Sequence, residues 1–149
     1  MEANEDEHLE FKEAKNDYSF DKLVEYCAAV ANEGGGTIIL GVTDRKPRVV
    51  VGCRAFHEPA RTVNGLVDRL RLKVDCEEVQ HPYGRVLLFH VPSRPLGMAV
   101  EVNGAYLMRA GETLRPMTQD QLRRILLEAG PDYSAEICKD ATLADLDCR

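Results

Sequence analysis

Three carboxylates in the first third of the chain are the candidates for catalytic chemistry. Glu10 lies in a short segment that alternates apolar and charged residues, Glu5 precedes it, and Asp44 follows an apolar segment. Mg²⁺ and Mn²⁺ prefer oxygen ligands such as carboxylates, and a bound ion of this kind can activate water and neutralise a phosphodiester. Acidic side chains are plentiful in this sequence, so a set of solvated surface carboxylates is the alternative interpretation.

Other catalytic and binding motifs are absent from the sequence or stand in the wrong order. No G-x-S-x-G motif occurs, and the four histidines form no i, i+4 pair and have no cysteine partners at zinc spacing. Gly34–Gly36 precede a strand-like segment, whereas a phosphate-binding loop precedes a helix and ends in Lys-Ser or Lys-Thr. We therefore predict that these glycines end a helix, and that the Asn32 side chain supports the turn by bonding local backbone. The five cysteines are scattered and are expected to be reduced thiols.

Positive charge is concentrated in the middle of the chain. The formal net charge is −6, but residues 1–17 carry −5 and residues 132–149 carry −3, which leaves +2 for residues 18–131. Within this middle region, one block contains eight bases and only two acids. The bases of the block are Arg45, Lys46, Arg48, Arg54, Arg61, Arg69, Arg71 and Lys73. A solvated polar face and a surface for a partner that carries phosphates both explain such a block.

Hydrophobic periodicity predicts an α+β fold, with a mixed β-sheet and about three packing helices. The predicted strands cover residues 9–12, 37–42, 48–52, 75–80, 85–91, 98–102 and 105–108. Ser19 is expected to cap an amphipathic first helix of about 13 residues, and the second helix covers about residues 60–72. Thr118 and Gln121 are expected to form a capping box that opens the third helix. The apolar run at residues 37–42 indicates a central strand.

The length and composition fit one globular domain followed by a short acidic segment. A chain of 149 residues can bury a sizeable core. No run of 18 apolar residues occurs and the acidic amino terminus lacks a signal-peptide core, so we expect no membrane partner and a cytoplasmic location. The predicted domain covers residues 1–130, and residues 131–149 are interpreted as an acidic tail that starts a further region of a longer chain.

Four motifs resemble the Alba-like domain of the Schlafen family, which is also found in bacterial regulators and in ATP-binding or helicase-like proteins. Residues 5–12 resemble the family's opening E-x-x-x-x-E-F-K, and Ala31–Thr37 resemble its A-N-x-x-G-G segment. Gly41–Asp44, followed by Val51 and Gly52, resemble its G-V-D-D…V-G turn. Residues 106–111 resemble its closing Y-x-R-x-G, so the motifs follow the family's order over about residues 5–127.

The resemblance implies an Alba/Schlafen-like fold that binds nucleic acid, DNA or RNA, as part of a larger regulator of, for example, transcription. A domain that only binds would need no cofactor. The side chains that would contact phosphates are Lys12, Arg45, Lys46, Arg48 and Arg109. Some Schlafen members that are similar in this region cleave tRNA or rRNA with three acids and a divalent metal. In this chain the acids, which would hold Mg²⁺ or Mn²⁺, would be Glu5, Glu10 and Asp44.

Two residues depart from the family pattern, and the size of the chain adds a further expectation. Thr43 replaces the first acid of the G-V-D-D turn, and Asp6 follows Glu5 where Ser or Thr is usual. Eukaryotic Schlafens grip RNA with two pseudo-repeated lobes, so a single lobe would need a homodimer to build a comparable groove. A regulatory or oligomerisation domain that neither binds nor cleaves nucleic acid is the remaining alternative.

Overall fold

Helix α1 (Phe20–Asn32) lies in the core of the computed structural model, which describes residues 9–111 and 113–128. Ser19 caps the helix by accepting a hydrogen bond from the Lys22 amide at 3.3 Å, as predicted. Every residue from Tyr26 to Asn32 is buried, because the helix contacts two β-sheets and a second helix. The predicted length is therefore confirmed, but the second half of α1 is not amphipathic, since it has protein neighbours all round.

Four strands form the first sheet, namely β1 (Leu9–Lys12), β2 (Gly36–Leu40), β3 (Asp75–His81) and β4 (Gly84–Val91). Their order is β1-β2-β4-β3, with β1 parallel to β2 and the other neighbours antiparallel. β2 is therefore a central strand, as predicted.

A second sheet contains β5 (Glu101–Val102), β6 (Ala105–Ala110) and β7 (Thr113–Pro116), in that order. β5 keeps only the end of the predicted strand at residues 98–102. β7 was not predicted, because its four residues include a proline and only one apolar side chain, Leu114. Its pairing with β6, from Leu107 to Ala110, supplies the stability that its own sequence does not indicate.

The described residues fall into two compact units. The first comprises residues 9–94, 100–111 and 113–116, and contains both sheets, α1 and α2 (Pro59–Leu70). The second comprises residues 95–99 and 117–128, and contains α3 (Gln119–Leu127), which begins with the predicted capping box. The predicted α+β class, with a mixed sheet and three helices, is confirmed for the described part of the chain. Among these helices, none has the length and apolar character needed to cross a membrane.

Asn32, at the end of α1, fastens the helix to distant backbone. Its amide nitrogen donates to the carbonyls of Val100 and Leu107 at 3.1 and 2.8 Å, and its oxygen accepts from the Val100 amide at 2.7 Å. The expectation that Asn32 bonds local backbone is therefore wrong. The buried amide satisfies its hydrogen bonds in the segment that carries β5 and in β6, which joins α1 to the second sheet.

The glycine turn after α1 has a structural role, as predicted. Gly35 has a φ of +89°, and a Cβ at this position would lie 2.8 Å from both the Val91 carbonyl oxygen and the Ser93 amide nitrogen. Only glycine fits so close to the backbone in this conformation. The turn therefore lets β2 start directly beside the end of β4.

The predicted strand at residues 48–52 does not form. A single bridge between Val42 and Val50 takes its place, and the Gly41 carbonyl accepts hydrogen bonds from two amides of the returning chain, at 2.8 and 3.0 Å. Gly41 and Gly52 have φ values of +106° and +84°. These values lie outside the extended region, so a regular ladder cannot continue past either glycine.

Strand direction places different segments at the two ends of the first sheet. β1 and β2 are parallel and β4 is antiparallel to them. The residues after Lys12, the residues after Leu40 and the start of β4 therefore share one end, which we call the loop end. The glycine turn and the final residues of β4 share the other, which we call the glycine end.

Candidate functional site: a buried charged cluster and an exposed basic loop

Four side chains of the first unit form a cluster that we call the charged cluster, namely Glu10, Lys12, Glu33 and Arg109. One Glu10 oxygen lies 3.1 Å from Lys12 Nζ, and the other accepts from Arg109 Nη1 at 2.8 Å. Glu33 accepts from Arg109 Nε at 3.1 Å and from the Arg109 amide at 2.5 Å. Arg109 Nη1 also donates to the Leu9 carbonyl at 2.9 Å. The two acids and two bases balance in charge, and they join β1, the end of α1 and β6 through charge-assisted hydrogen bonds.

Lys12 connects the charged cluster to α1. Glu10 and Lys12 are two residues apart in β1, so their side chains point to the same face of the sheet. Lys12 Nζ donates to the Tyr26 hydroxyl at 3.1 Å and lies 4.3 Å from the centroid of the Tyr26 ring. Burial acts to lower the pKa of Lys12, but the hydrogen bonds to Tyr26 and Glu10 raise this pKa above its ordinary value near 10.5. Lys12 is therefore charged at neutral pH.

Arg109 is the residue on which the charged cluster depends. Its side chain is 8% exposed, and those of Glu10 and Glu33 are 2% and 14% exposed. Burial acts to lower the pKa of Arg109, but the hydrogen bond that Arg109 donates to Glu10 and the charge of Glu33 raise this pKa above its ordinary value. Buried charges are tolerated when they are paired, and the loss of one partner leaves the others uncompensated. The geometry of Arg109 is therefore that of a residue that holds the fold together.

Glu33 is the member of the charged cluster that the sequence did not reveal. It occupies a position that the A-N-x-x-G-G motif leaves open, and it lies 76 positions from Arg109. No local pattern links residues so far apart. The one available signal is that Glu33 follows Asn32 at the end of a helix, where a long acidic side chain can reach a neighbouring strand.

Residues Thr43–Val49 form an exposed loop at the loop end, which we call the basic loop. Thr43 closes it, because its amide donates to the Val49 carbonyl at 2.9 Å and its hydroxyl accepts from the Val49 amide at 2.9 Å. The same hydroxyl donates to the Arg45 carbonyl at 3.2 Å. An ionised acid could not donate this bond, so threonine here fits a closed loop and avoids one negative charge. Arg45 and Lys46 are exposed within it.

Arg48 is held against the sheet. Its guanidinium lies 4.1 Å from the centroid of the Phe11 ring, a cation–π contact. Phe11 stands between Glu10 and Lys12 in β1, so its ring points to the face opposite the charged cluster. The structure thus separates the predicted phosphate contacts into two groups. Lys12 and Arg109 belong to the charged cluster, and Arg45, Lys46 and Arg48 belong to the basic loop.

The predicted metal-binding acids are in three different situations. Asp44 lies in the basic loop, and its buried Oδ1 has no hydrogen-bond partner in the described residues, which fits a cation ligand. Both Glu10 oxygens already accept from cationic side chains. Glu5 lies outside the described residues. Within residues 9–111 and 113–128, no group of three His, Cys, Asp or Glu side chains is placed to hold a metal ion, so these residues do not form a metal site by themselves.

Comparisons with known proteins agree with the fold. Residues 5–118 match the family model described as Schlafen, AlbA_2. This match fits a nucleic-acid-related domain. The solved DIP2311 protein from Corynebacterium diphtheriae is similar, with a TM-score of 0.65 and 20% identity over 85% of this chain and 28% of that chain. The N-terminal domain of a RecG-related protein from Nitrosomonas europaea has a TM-score of 0.46 and 19% identity, over 78% of this chain and 88% of that one. No curated protein matches the chain. The chain therefore spans 28% of the Corynebacterium protein, whose likeness shows the fold alone.

Proposed function

Because the chain belongs to the Schlafen AlbA_2 family, we propose that it binds nucleic acid through phosphate contacts from the basic loop. The observation that carries this proposal is that hydrogen bonds hold the basic loop in a closed conformation. Thr43 closes it with three hydrogen bonds, at 2.9, 2.9 and 3.2 Å, while Arg45 and Lys46 remain exposed. A loop that is ordered before binding loses little conformational entropy when it meets a ligand.

Arg48 and the charged cluster have supporting parts in this proposal. Arg48 holds the loop on the sheet through Phe11, and its positive charge adds to that of Arg45 and Lys46. Lys12 and Arg109 are already paired with Glu10, and their side chains are only 18% and 8% exposed, so they are less accessible to a phosphate than Arg45 and Lys46. We therefore assign the first phosphate contacts to the basic loop, and we assign Lys12 and Arg109 to positioning β1 and β6.

Salt-dependent binding tests this proposal. Phosphate contacts release counterions, so the affinity for labelled RNA and DNA should fall with salt concentration. The variant Arg45→Ala/Lys46→Ala should bind more weakly, and its slope of log affinity against log salt should be smaller by about 1.4 on single strands. Arg61→Ala/Lys73→Ala is the matched control, since it removes two exposed bases of the same block. Absence of binding by the parent, or an equal loss in the control, contradicts the proposal.

Divalent-metal-dependent cleavage of RNA is the second candidate function. It is favoured by the buried Oδ1 of Asp44, which has no hydrogen-bond partner among the described residues. In this proposal Asp44, Glu10 and Glu5 hold Mg²⁺ or Mn²⁺, and the ion activates water and neutralises the scissile phosphate. Glu10 would have to bind the ion through lone pairs that Lys12 and Arg109 leave available.

Cleavage of tRNA in the presence of Mn²⁺, together with calorimetric titration of Mn²⁺, tests this second candidate. Asp44→Asn should abolish both cleavage and one Mn²⁺ site, while nucleic-acid binding through Arg45 and Lys46 continues. Asp68→Asn, an exposed acid on α2, is the control and should leave both unchanged. If the parent leaves tRNA intact, or if Asp44→Asn cleaves it equally well, the second candidate function is contradicted.

A homodimer within a larger regulator completes the proposal. Two copies would present two basic loops to one nucleic acid and would bind it more tightly than one copy. Light scattering with and without nucleic acid tests this point. A complex that contains one protein copy at saturation would show that a single domain suffices.

A further inference from the structure

A cavity of about 350 Å³ opens at the loop end of the first unit. Its lining includes Lys15, Asn16, Gly52, Arg54, Tyr83 and Arg85. Lys15 and Asn16 follow β1, and Gly52 and Arg54 follow the basic loop. Tyr83 lies in the turn before β4, and Arg85 lies near the start of β4. The volume lies in the range of about 300–1,000 Å³ that small-ligand pockets occupy.

Two glycines keep one wall of the cavity free of side chains. A Cβ added to Gly84 would lie 2.5 Å from Gly52 Cα, and one added to Gly52 would lie 3.1 Å from Gly84 Cα. The two backbone segments are therefore in direct contact. Lys15, Arg54, Arg85 and the Tyr83 ring belong to the rest of the lining.

The positive charge of the cavity is available to a ligand. Lys15 and Arg54 are exposed, and neither forms an ion pair with another residue in the described part of the chain. Arg85 is fixed instead, because it donates to the carbonyls of Cys53 and Ala55 and pairs with Glu78 at 3.1 Å. The cavity thus combines one anchored guanidinium with two cations that form no ion pair within residues 9–111 and 113–128, an arrangement suited to a phosphate.

Tyr83 gives the cavity an aromatic face. It is 75% exposed, although it occupies the two-residue turn between β3 and β4, where the turn geometry does not require an aromatic residue. The ring is backed by His81 at a centroid distance of 5.5 Å, and the Tyr83 amide donates to His81 Nδ1 at 3.1 Å. An exposed ring beside unpaired cations is the arrangement that binds single-stranded nucleic acid by stacking.

We infer that this cavity binds one nucleotide of a single-stranded nucleic acid, with a phosphate at Lys15 and Arg54 and the base stacked on Tyr83. The inference rests on the proposed nucleic-acid binding and names the form of its ligand. A base inside a duplex is stacked on its neighbours, so Tyr83 can accept only an unpaired base. Val51, in the wall of the cavity, lies two residues after Val49, so the cavity begins within about 7 Å of the end of the basic loop along the chain. One strand can therefore contact both.

Anisotropy titrations of the full chain with a labelled ten-nucleotide oligo-uridine and with a perfect duplex of equal length test the inference. Tyr83→Ala should weaken binding to the single strand by about 5- to 100-fold and leave binding to the duplex within about 2-fold. Tyr83→Phe keeps the stacking face and should bind within about 3-fold of the parent. Arg54→Ala should weaken binding to the single strand, whereas Arg61→Ala should not.

Tyrosine fluorescence supplies a second measurement, because the chain contains no tryptophan to mask it. Stacking of a base on Tyr83 should quench part of the emission in the parent, and this part should be missing in Tyr83→Phe. If Tyr83→Ala and Arg54→Ala bind the single strand as the parent does, while Arg45→Ala/Lys46→Ala loses affinity, the inference is overturned and the proposed function stands. If the parent binds neither oligonucleotide, both are overturned.

Discussion

The charged cluster and the basic loop use the same kind of side chain in opposite ways. In the cluster, the Arg109 side chain is 8% exposed and donates hydrogen bonds to Glu10, Glu33 and the Leu9 carbonyl. In the loop, Arg45 is exposed and its backbone carbonyl, rather than its guanidinium, makes the contact that orders the chain. Both residues were predicted to contact phosphates.

The difference between the two regions is decided by acids that are near in space and distant in sequence. Glu33 supplies the second negative charge that makes the cluster neutral, and it follows directly after α1 rather than lying in one of the strands that the cluster joins. The loop has one acid, Asp44, for three bases. A base with buried acidic partners stabilises the fold, whereas an exposed base such as Arg45 can present its donors to a ligand.

Loss of Arg109 should have the largest effect. Arg109→Met leaves Glu10 and Glu33 buried without their shared partner, so we expect the free energy of unfolding to fall by about 3–5 kcal/mol. Arg45→Met removes an exposed charge and should change it by less than about 0.5 kcal/mol. Urea titrations followed by circular dichroism measure both values.

An acid-to-amide change at Glu10 adds a second measurement to this test. Glu10→Gln should cost less in the background of Arg109→Met than in the parent, because Glu10 has then already lost one of its two cationic partners and keeps only Lys12. Equal stability of Arg109→Met and Arg45→Met would mean that the two regions do not differ in the way the contacts indicate.

The turn that places Glu33 should be the next most sensitive position. Gly35→Ala meets backbone atoms of Val91 and Ser93 at a positive φ, so it should lower the free energy of unfolding by about 2–4 kcal/mol. Gly34 has a φ of +107°, and a Cβ there meets nothing within 4 Å. Gly34→Ala should therefore show the conformational cost alone, about 1–2 kcal/mol. Urea denaturation of the two variants measures both changes in unfolding free energy. A larger decrease in Gly34→Ala than in Gly35→Ala would contradict the prediction.

The closure of the basic loop should have a smaller effect on stability and a visible effect on binding. Thr43→Val keeps the shape of the side chain but removes its hydrogen bonds to Val49 and Arg45, at a cost of about 1 kcal/mol. The loosened loop should also bind oligonucleotides several-fold more weakly. Thr62→Val is the control, since Thr62 makes one exposed bond to its own helix. Unchanged affinity in Thr43→Val would show that loop order does not contribute.

Local chemistry made much of the fold predictable. The Ser19 cap, the length of α1 and the capping box at Thr118 depend on neighbours within a few residues, and all are confirmed. The return strand at residues 48–52 was wrong, because the positive φ values of Gly41 and Gly52 cannot be read from an apolar pattern.

The candidate site could be predicted only in part, because its partners are distant in sequence. Asn32 bonds residues 68 and 75 positions away, and Glu33 bonds Arg109 at a separation of 76. Family motifs identified Glu10, Lys12 and Arg109 as residues of interest. The motifs could not distinguish a base that would meet a ligand from a base that would meet a buried acid.

Titration of Lys12 gives the smallest and most specific prediction. Its pKa is raised in the folded state, so its stabilising effect is complete below its ordinary value near 10.5 and is lost as the pH rises through the folded-state pKa. The difference in unfolding free energy between the parent and Lys12→Met should therefore stay constant from pH 7 to pH 9.5. It should then shrink by less than about 1 kcal/mol by pH 11. Taking the difference in unfolding free energy between the two proteins cancels the effect of groups that titrate alike in both. If this difference grows above pH 10, Lys12 is not paired with Glu10 and Tyr26 in solution.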